Sequence, residues 1–244
     1  MKKKICFVII IVLTVLFITV LNLLYFGVLH FNNPSKKTYP IRGVDVSSYQ
    51  GTIDWKELAN NDLHFAFVKA TEGSTFVDKY FLNNWTESNK TQLYVGAYHF
   101  FSFESSGATQ AENFIKTVGK LNTNNLPPVI DIEYYNSDLE ISIQDIREEI
   151  LNMATALEKE YGKKPILYVT KETYEDFVVG YFENFPIWVR SVFYKPNFVK
   201  EWNFWQYSNR HILDGYKGSE KYIDMNVYNG DFESFLNDFK LEEK

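Results

Sequence analysis

The segment Pro127-Pro128-Val129-Ile130-Asp131-Ile132-Glu133 reads as a short buried strand that ends in two carboxylates. Successive side chains on a strand point to opposite faces, so Asp131 and Glu133 share one face, with α-carbons roughly 7 Å apart. Two acids crowded at the end of an apolar strand cannot both ionise freely. Burial and mutual repulsion raise one pKa, leaving a protonated acid beside a carboxylate at neutral pH. Such a pair has the equipment to cleave a glycosidic bond. The plainer alternative is a strand end whose acids are solvated or matched by Lys or Arg.

Outward from this strand, apolar runs alternate with amphipathic ones. Strands are expected at Ile41–Val46, Phe65–Ala70, Leu93–Phe101, Val129–Glu133, Pro165–Val169, Pro186–Val189, Phe204–Tyr207 and Tyr222–Val227. The clearest helix spans Ser142 to Tyr161, where Ile143, Ile146, Ile150, Met153, Ala154, Leu157 and Tyr161 form one stripe. Ser142 with Asp145 suggests a capping box, and Gly162 ends the helix before Pro165 opens the next strand. A second helix is expected over Ala108–Val118. Eight strands with helices between most of them predict an α/β fold, a TIM-like β/α barrel. Between Tyr207 and Tyr222 turn residues replace any helical period, so the last two strands should form a hairpin. The barrel should therefore be irregular, with fewer than eight helices.

At the N-terminus Lys2, Lys3 and Lys4 precede an apolar stretch from Ile5 to about Leu29, long enough to cross a bilayer. No small-residue cleavage site follows. Residues 1–31 therefore read as cytoplasmic lysines and an uncleaved transmembrane signal anchor, 32–40 as a polar linker and 41–244 as the barrel, outside the cell. The alternative is secretion after signal cleavage. Cys6, the only cysteine, lies in the anchor, so the exported part has no disulfide and rests on its core. A net charge of −6 without a basic block argues against nucleic acid. Four single histidines offer no metal motif, and neither cofactor nor metal is expected. The chain is expected to act as a monomer.

In parallel barrels the working residues sit at the carboxyl ends of the strands. Here those ends carry Asp45; Lys69, Thr71 and Glu72; Tyr98 and His99; Asp131 and Glu133; Tyr168; Trp205, Gln206 and Tyr207; and Asp224. Carboxylates, Tyr and Trp around one mouth supply the stacking faces and acceptors that sugar rings need. Each residue also has a plainer reading. Trp205 and Tyr207 could be core, Asp45 and Glu72 could shape turns, and His99 reads better as a satisfied core histidine, since no Ser or Cys nucleophile pairs with it.

The motifs in order resemble those of the glycoside hydrolase family 25 muramidases. The matches are Asp45-Val46-Ser47-Ser48-Tyr49-Gln50-Gly51 with Ile53-Asp54-Trp55, then Phe67 to Asp78, Val95-Gly96-Ala97-Tyr98-His99-Phe100, Val129 to Glu133, Trp205-Gln206-Tyr207 and Ile223-Asp224-Met225-Asn226. Together they cover nearly all of the soluble part. The resemblance implies an irregular β/α barrel that hydrolyses the β-1,4 bond between N-acetylmuramic acid and N-acetylglucosamine in peptidoglycan. It implies Glu133 as proton donor, Asp131 as its partner, and Asp45 and Asp224 completing an acidic pocket, with Glu72 ranked lower. Lys69, Tyr98, Tyr168, Trp205, Gln206 and Tyr207 join Glu72 as expected substrate contacts. Two departures stand out. Asn60-Asn61-Asp62 occupies a place where glycine is usual, and Arg190 follows Trp188-Val189 where a small residue is expected.

Two competing functions remain open at this point: a barrel that holds glycan without cutting it, and a glycosidase of other specificity such as a chitinase. All four acids are present, which favours catalysis over a decayed site. A chitinase would carry further aspartates ahead of the Asp-x-Glu, where this chain has Pro127-Pro128-Val129-Ile130.

Overall fold

A computed structural model describes residues 2–135 and 141–244. Its barrel strands are β1 (Arg42–Val46), β2 (Phe65–Glu72), β3 (Tyr94–Phe100), β4 (Val129–Ile132), β5 (Ile166–Val169), β6 (Ile187–Arg190), β7 (Phe204–His211) and β8 (Ile223–Tyr228). All eight fall where the sequence predicts them, within four residues at each end. Strands β1 to β7 run parallel in order, while β8 lies antiparallel between β7 and β1 and closes the ring. The predicted hairpin is thus the closure of the barrel. Its outer arm, Tyr216–Lys217, pairs with Thr52–Ile53.

The helices are α1 (Lys2–Tyr25), α2 (Trp55–Ala59), α3 (Phe81–Ser88), α4 (Gly107–Val118), α5 (Ile143–Tyr161), α6 (Lys171–Thr173), which runs into a π turn at Tyr174–Val178, and α7 (Phe232–Phe239). The β6–β7 crossing over residues 191–203 carries no helix. In α5 the predicted stripe buries Ile146, Ile150, Met153, Ala154 and Leu157, each of the Ile, Met and Leu side chains contributing roughly 1.5–3 kcal/mol when fully buried. Ser142 accepts from the Asp145 amide at 3.1 Å, but the return bond of a capping box is not formed. Aspartate is one methylene shorter than the Glu or Gln that reaches back. Gly162 ends the helix in the left-handed conformation, as its position predicts.

Strand alternation builds two cores. Outward-facing Val44, Ala66, Val68, Ile130 and Leu167 pack under the helices, while Phe65, Phe67, Trp188, Phe204 and Tyr228 fill the barrel interior. Phe235 and Phe239 of α7 join the interior cluster and plug its base. The interior is crowded enough that a Cβ on Gly96 would stand 2.6 Å from the Phe67 ring, so that position takes only glycine. The base is sealed with aromatics, and the chemistry is left to the opposite end.

The Asn60-Asn61-Asp62 departure also has a backbone reason. Asp62 adopts a left-handed φ of 59°, the conformation glycine favours, and its carboxylate is held by Lys36 Nζ at 2.5 Å. That contact, with Arg42 donating from Nη2 to the Pro34 carbonyl, fastens the segment read as a polar linker onto the barrel.

Candidate active site

A cleft of about 890 Å³ opens at the carboxyl end of the strands. Asp45, Lys69, Tyr98, Asp131, Glu133, Tyr168, Gln206 and Asp224 line it, eight of the eleven residues proposed from sequence. Several lie on the inward phase of a strand, two residues beyond an interior aromatic or apolar side chain. Phe67 precedes Lys69, Val129 precedes Asp131, and Phe204 precedes Gln206.

The floor is a hydrogen-bonded network. Asn226 Nδ2 donates to Asp45 Oδ2 at 2.7 Å, and Gln206 Nε2 donates to the same oxygen at 3.0 Å and to Asp224 Oδ2 at 3.3 Å. Tyr168 donates its hydroxyl to Gln206 Oε1 at 3.0 Å, and Trp188 donates its indole N–H to Asn226 Oδ1 at 2.8 Å. These bonds fix both amide orientations, so each amide turns its N–H₂ toward carboxylate. Asp45 and Asp224 are cross-strand partners on β1 and β8, which forces them together.

The four acids thus share the cleft with Lys69, Lys171 and Arg190, and burial desolvates the acids. Burial raises the pKa of Asp45 against the pull of the Asn226 and Gln206 donors. Burial and the Asp45 charge push Asp224 well above the usual carboxylate range. Asp131 rises well above it too, from burial and then from the charge on Glu133, and among the described residues its Oδ1 has no hydrogen-bond partner. Glu133 is also raised, chiefly by burial, with Arg190 opposing. Burial rather than Asp131 is therefore the main influence on Glu133.

Three expectations about position are corrected. Trp205 and Tyr207 lie on the outer face of β7, in the layer under the helices, where Trp205 donates its indole N–H to the Ser191 carbonyl and Tyr207 accepts from Arg42 Nη1. Period-two alternation sends both outward once Gln206 points in. Glu72 does not line the cleft but pairs with Lys69 at 2.8 Å, behind that lysine. His99 is a satisfied core histidine, bonded to Thr71 Oγ1 at 2.7 Å and Gln110 Oε1 at 2.9 Å, and burial holds its pKa down at about 4.

Sequence reasoning passed over Trp188 and Asn226 as site residues, and Tyr49, Phe193, Tyr194 and Tyr222 on the loops. Counting by twos from Arg190 and Asp224 reaches the first two. The loop aromatics carry no periodic signal.

Buried inward acids at the carboxyl-end mouth of a closed β/α barrel, with aromatic rims, define a glycoside hydrolase. The sequence profile of the glycosyl hydrolases family 25 matches residues 44–216, and the chain belongs to that family. A family 25 glycosyl hydrolase structure from Bacillus anthracis is 51% identical, with a TM-score of 0.80, covering 86% of this chain and 98% of its own. The bacterial lysozyme structure from Streptomyces coelicolor is 29% identical, with a TM-score of 0.72, over 82% of this chain and 96% of its own. Lysozyme M1 of Streptomyces globisporus is 31% identical over 206 residues, 79% of this chain and 69% of that protein. The resemblance carried by the motifs is borne out in family and fold.

Proposed function

We propose that this chain is a peptidoglycan muramidase that cleaves the β-1,4 bond between N-acetylmuramic acid and N-acetylglucosamine at the outer face of the cell membrane. The observation that carries the reading is the buried Asp131/Glu133 pair, inward on one strand end inside an acid-lined cleft. Relatives named lysozyme support the substrate.

Glu133 gives its proton to the glycosidic oxygen as the bond breaks. Asp131 orients the 2-acetamido group of the substrate, whose carbonyl oxygen attacks the anomeric carbon and forms a cyclic cation. Water then opens that ring from the other side, yielding its proton to Glu133, so the β configuration is retained. Asp45 and Asp224, bridged by Gln206, with Asn226 holding Asp45, keep the shape of the floor. Tyr98, Tyr168, Lys69 and Gln206 contact the sugars. Glu72 sets Lys69, while Trp205 and Tyr207 brace the wall from outside.

For location, α1 is a 24-residue apolar helix of roughly 36 Å, longer than a bilayer core of about 30 Å, with Lys2, Lys3 and Lys4 at its start. The reading is of a single-pass anchor with lysines inside and barrel outside.

The test is mass spectrometry of peptidoglycan fragments reduced after digestion. Products ending in reduced muramic acid are expected. Products ending in reduced glucosamine would overturn the bond assignment, and binding without release would leave a glycan-holding barrel.

A further inference from the structure

The chain leaving α1 is built into the barrel. Tyr25, the last residue of α1, accepts at its carbonyl from Arg210 Nη1 at 2.7 Å and from the Tyr222 hydroxyl at 3.1 Å. The Arg210 guanidinium lies between the Tyr25 and Tyr222 rings, 5.1 and 5.2 Å from their centroids. Gly27 turns with a φ of 67°, and a Cβ there would stand 2.2 Å from the Arg210 carbonyl oxygen, so no side chain fits that approach. The rings of His30 and His211 stack at 3.8 Å, Phe31 meets Phe193 edge-on at 5.1 Å, and Asn32 Nδ2 donates to the Ser191 carbonyl at 3.0 Å. Every partner lies on the β7–β8 hairpin or on the loop after β6.

We propose that Tyr25–Asn32 is a rigid strut that seats the β7–β8 hairpin on the outer leaflet and holds the rim of the cleft at the membrane surface. The inference rests on the reading of α1 as a retained anchor. A helix that outspans the hydrocarbon core brings Tyr25 to headgroup depth on the outer side. Arg210, bonded to the Tyr25 carbonyl, is then at the same depth, as is Ile212 two residues further on, which is exposed. Tyr25 and Phe26 are exposed aromatics of the kind that occupy bilayer interfaces. The partner of this face is therefore a lipid headgroup surface, with the exposed Lys217 and Lys221 available to phosphate. Tyr222 and Phe193, which touch or adjoin the strut, also line the cleft. The enzyme so held reaches glycan lying against the membrane and not the outer layers of a wall. Its substrate is the product of the glycan-polymerising reaction at that surface.

The test uses the full chain with Cys6→Ser, which removes its only thiol. An environment-sensitive fluorophore is attached at Ile212→Cys or, on α7 at the barrel base, at Glu233→Cys. Each protein is reconstituted into phosphatidylcholine–phosphatidylglycerol vesicles carrying headgroup spin labels. Quenching at 212 and none at 233 is expected. In Gly27→Ala, and in Arg210→Ala as a second variant, quenching at 212 should be lost while the protein still floats with vesicles and still cuts soluble glycan fragments as before. Floating protein unquenched at 212, or quenched equally at both sites, overturns the seating. Quenching at 212 that survives both substitutions overturns the strut. Protein that fails to float with the vesicles overturns the anchor reading itself, a result separable from the others.

Discussion

Glu133→Gln should cut turnover by about 10²–10⁴ and at the same time stabilise the fold at neutral pH. The two effects come from one charge. As general acid, Glu133 should contribute about 10²–10⁴ in rate, and Gln keeps its shape without the proton. Its ionised form also opposes Asp131, on which it is the largest charge influence. At the roughly 7 Å spacing of strand positions i and i+2, with an effective dielectric near 20, that repulsion is about 2 kcal/mol. Gln forfeits attraction to Arg190 and Lys69, both of which favour ionised Glu133. A net gain of about 1 kcal/mol is expected, or a rise of about 2–4 °C in Tm for a domain of this size.

The sign with pH follows from linkage. An acid whose folded pKa is raised supports the fold below its unfolded pKa and loses that support as pH climbs through the folded value. The Gln variant should therefore match the wild type near pH 4 and pull ahead toward pH 8. Urea denaturation of a fragment beginning at Asn32, followed by the fluorescence of the five tryptophans, measures the difference at both ends. Turnover within a few-fold of wild type would refute the acid role. A gap that is absent or reversed at pH 8, or unchanged at pH 4, would refute the electrostatic account.

Arg190→Ala removes the charge that most opposes the raised pKa of Glu133, so the alkaline limb of kcat/KM should move to higher pH; an unmoved limb would show that Arg190 does not bias the proton donor. Proton NMR of the reducing end released first, before mutarotation, should show the β anomer, and initial α product would eliminate the acetamido mechanism in favour of water activated by Asp131 or Asp224. With its folded pKa near 4, His99 favours the fold only while neutral, so acid should destabilise the wild type by up to about 3 kcal/mol from this residue between pH 7 and 4. His99→Gln, which keeps a neutral hydrogen-bonding side chain, should flatten that slope in urea titrations, and an unchanged slope would place the acid sensitivity elsewhere.

The fold was legible because each barrel strand is an apolar run long enough to be buried on both faces, and because turn residues replaced a helical period after Tyr207. The short helices α2 and α3 were not legible. Five and eight residues give too few turns for a stripe to emerge, and tertiary packing rather than propensity holds them. Helix α7 escaped for another reason. Phe232, Phe235, Leu236 and Phe239 pack into the barrel base, so its apolar face reads as core without saying which core.

The site was legible to the extent that strand phase was respected. Asp131 and Glu133 were read as sharing a face, and both line the cleft. Trp205, Gln206 and Tyr207 were read as one set, although three consecutive strand residues cannot face one way, and only Gln206 reaches the cleft. On β2 the phase itself breaks. Lys69 pairs with Tyr98, but Thr71 pairs with His99, an irregularity of one residue that turns Thr71 outward to bond the buried histidine and leaves Glu72 behind Lys69. No composition marks that bulge in the sequence. Its consequence is chemical: Lys69 stays inward in the cleft with the four acids, while the Thr71 hydroxyl supports the wall through His99. A one-residue slip thus decides which polar groups meet substrate and which hold the barrel in shape.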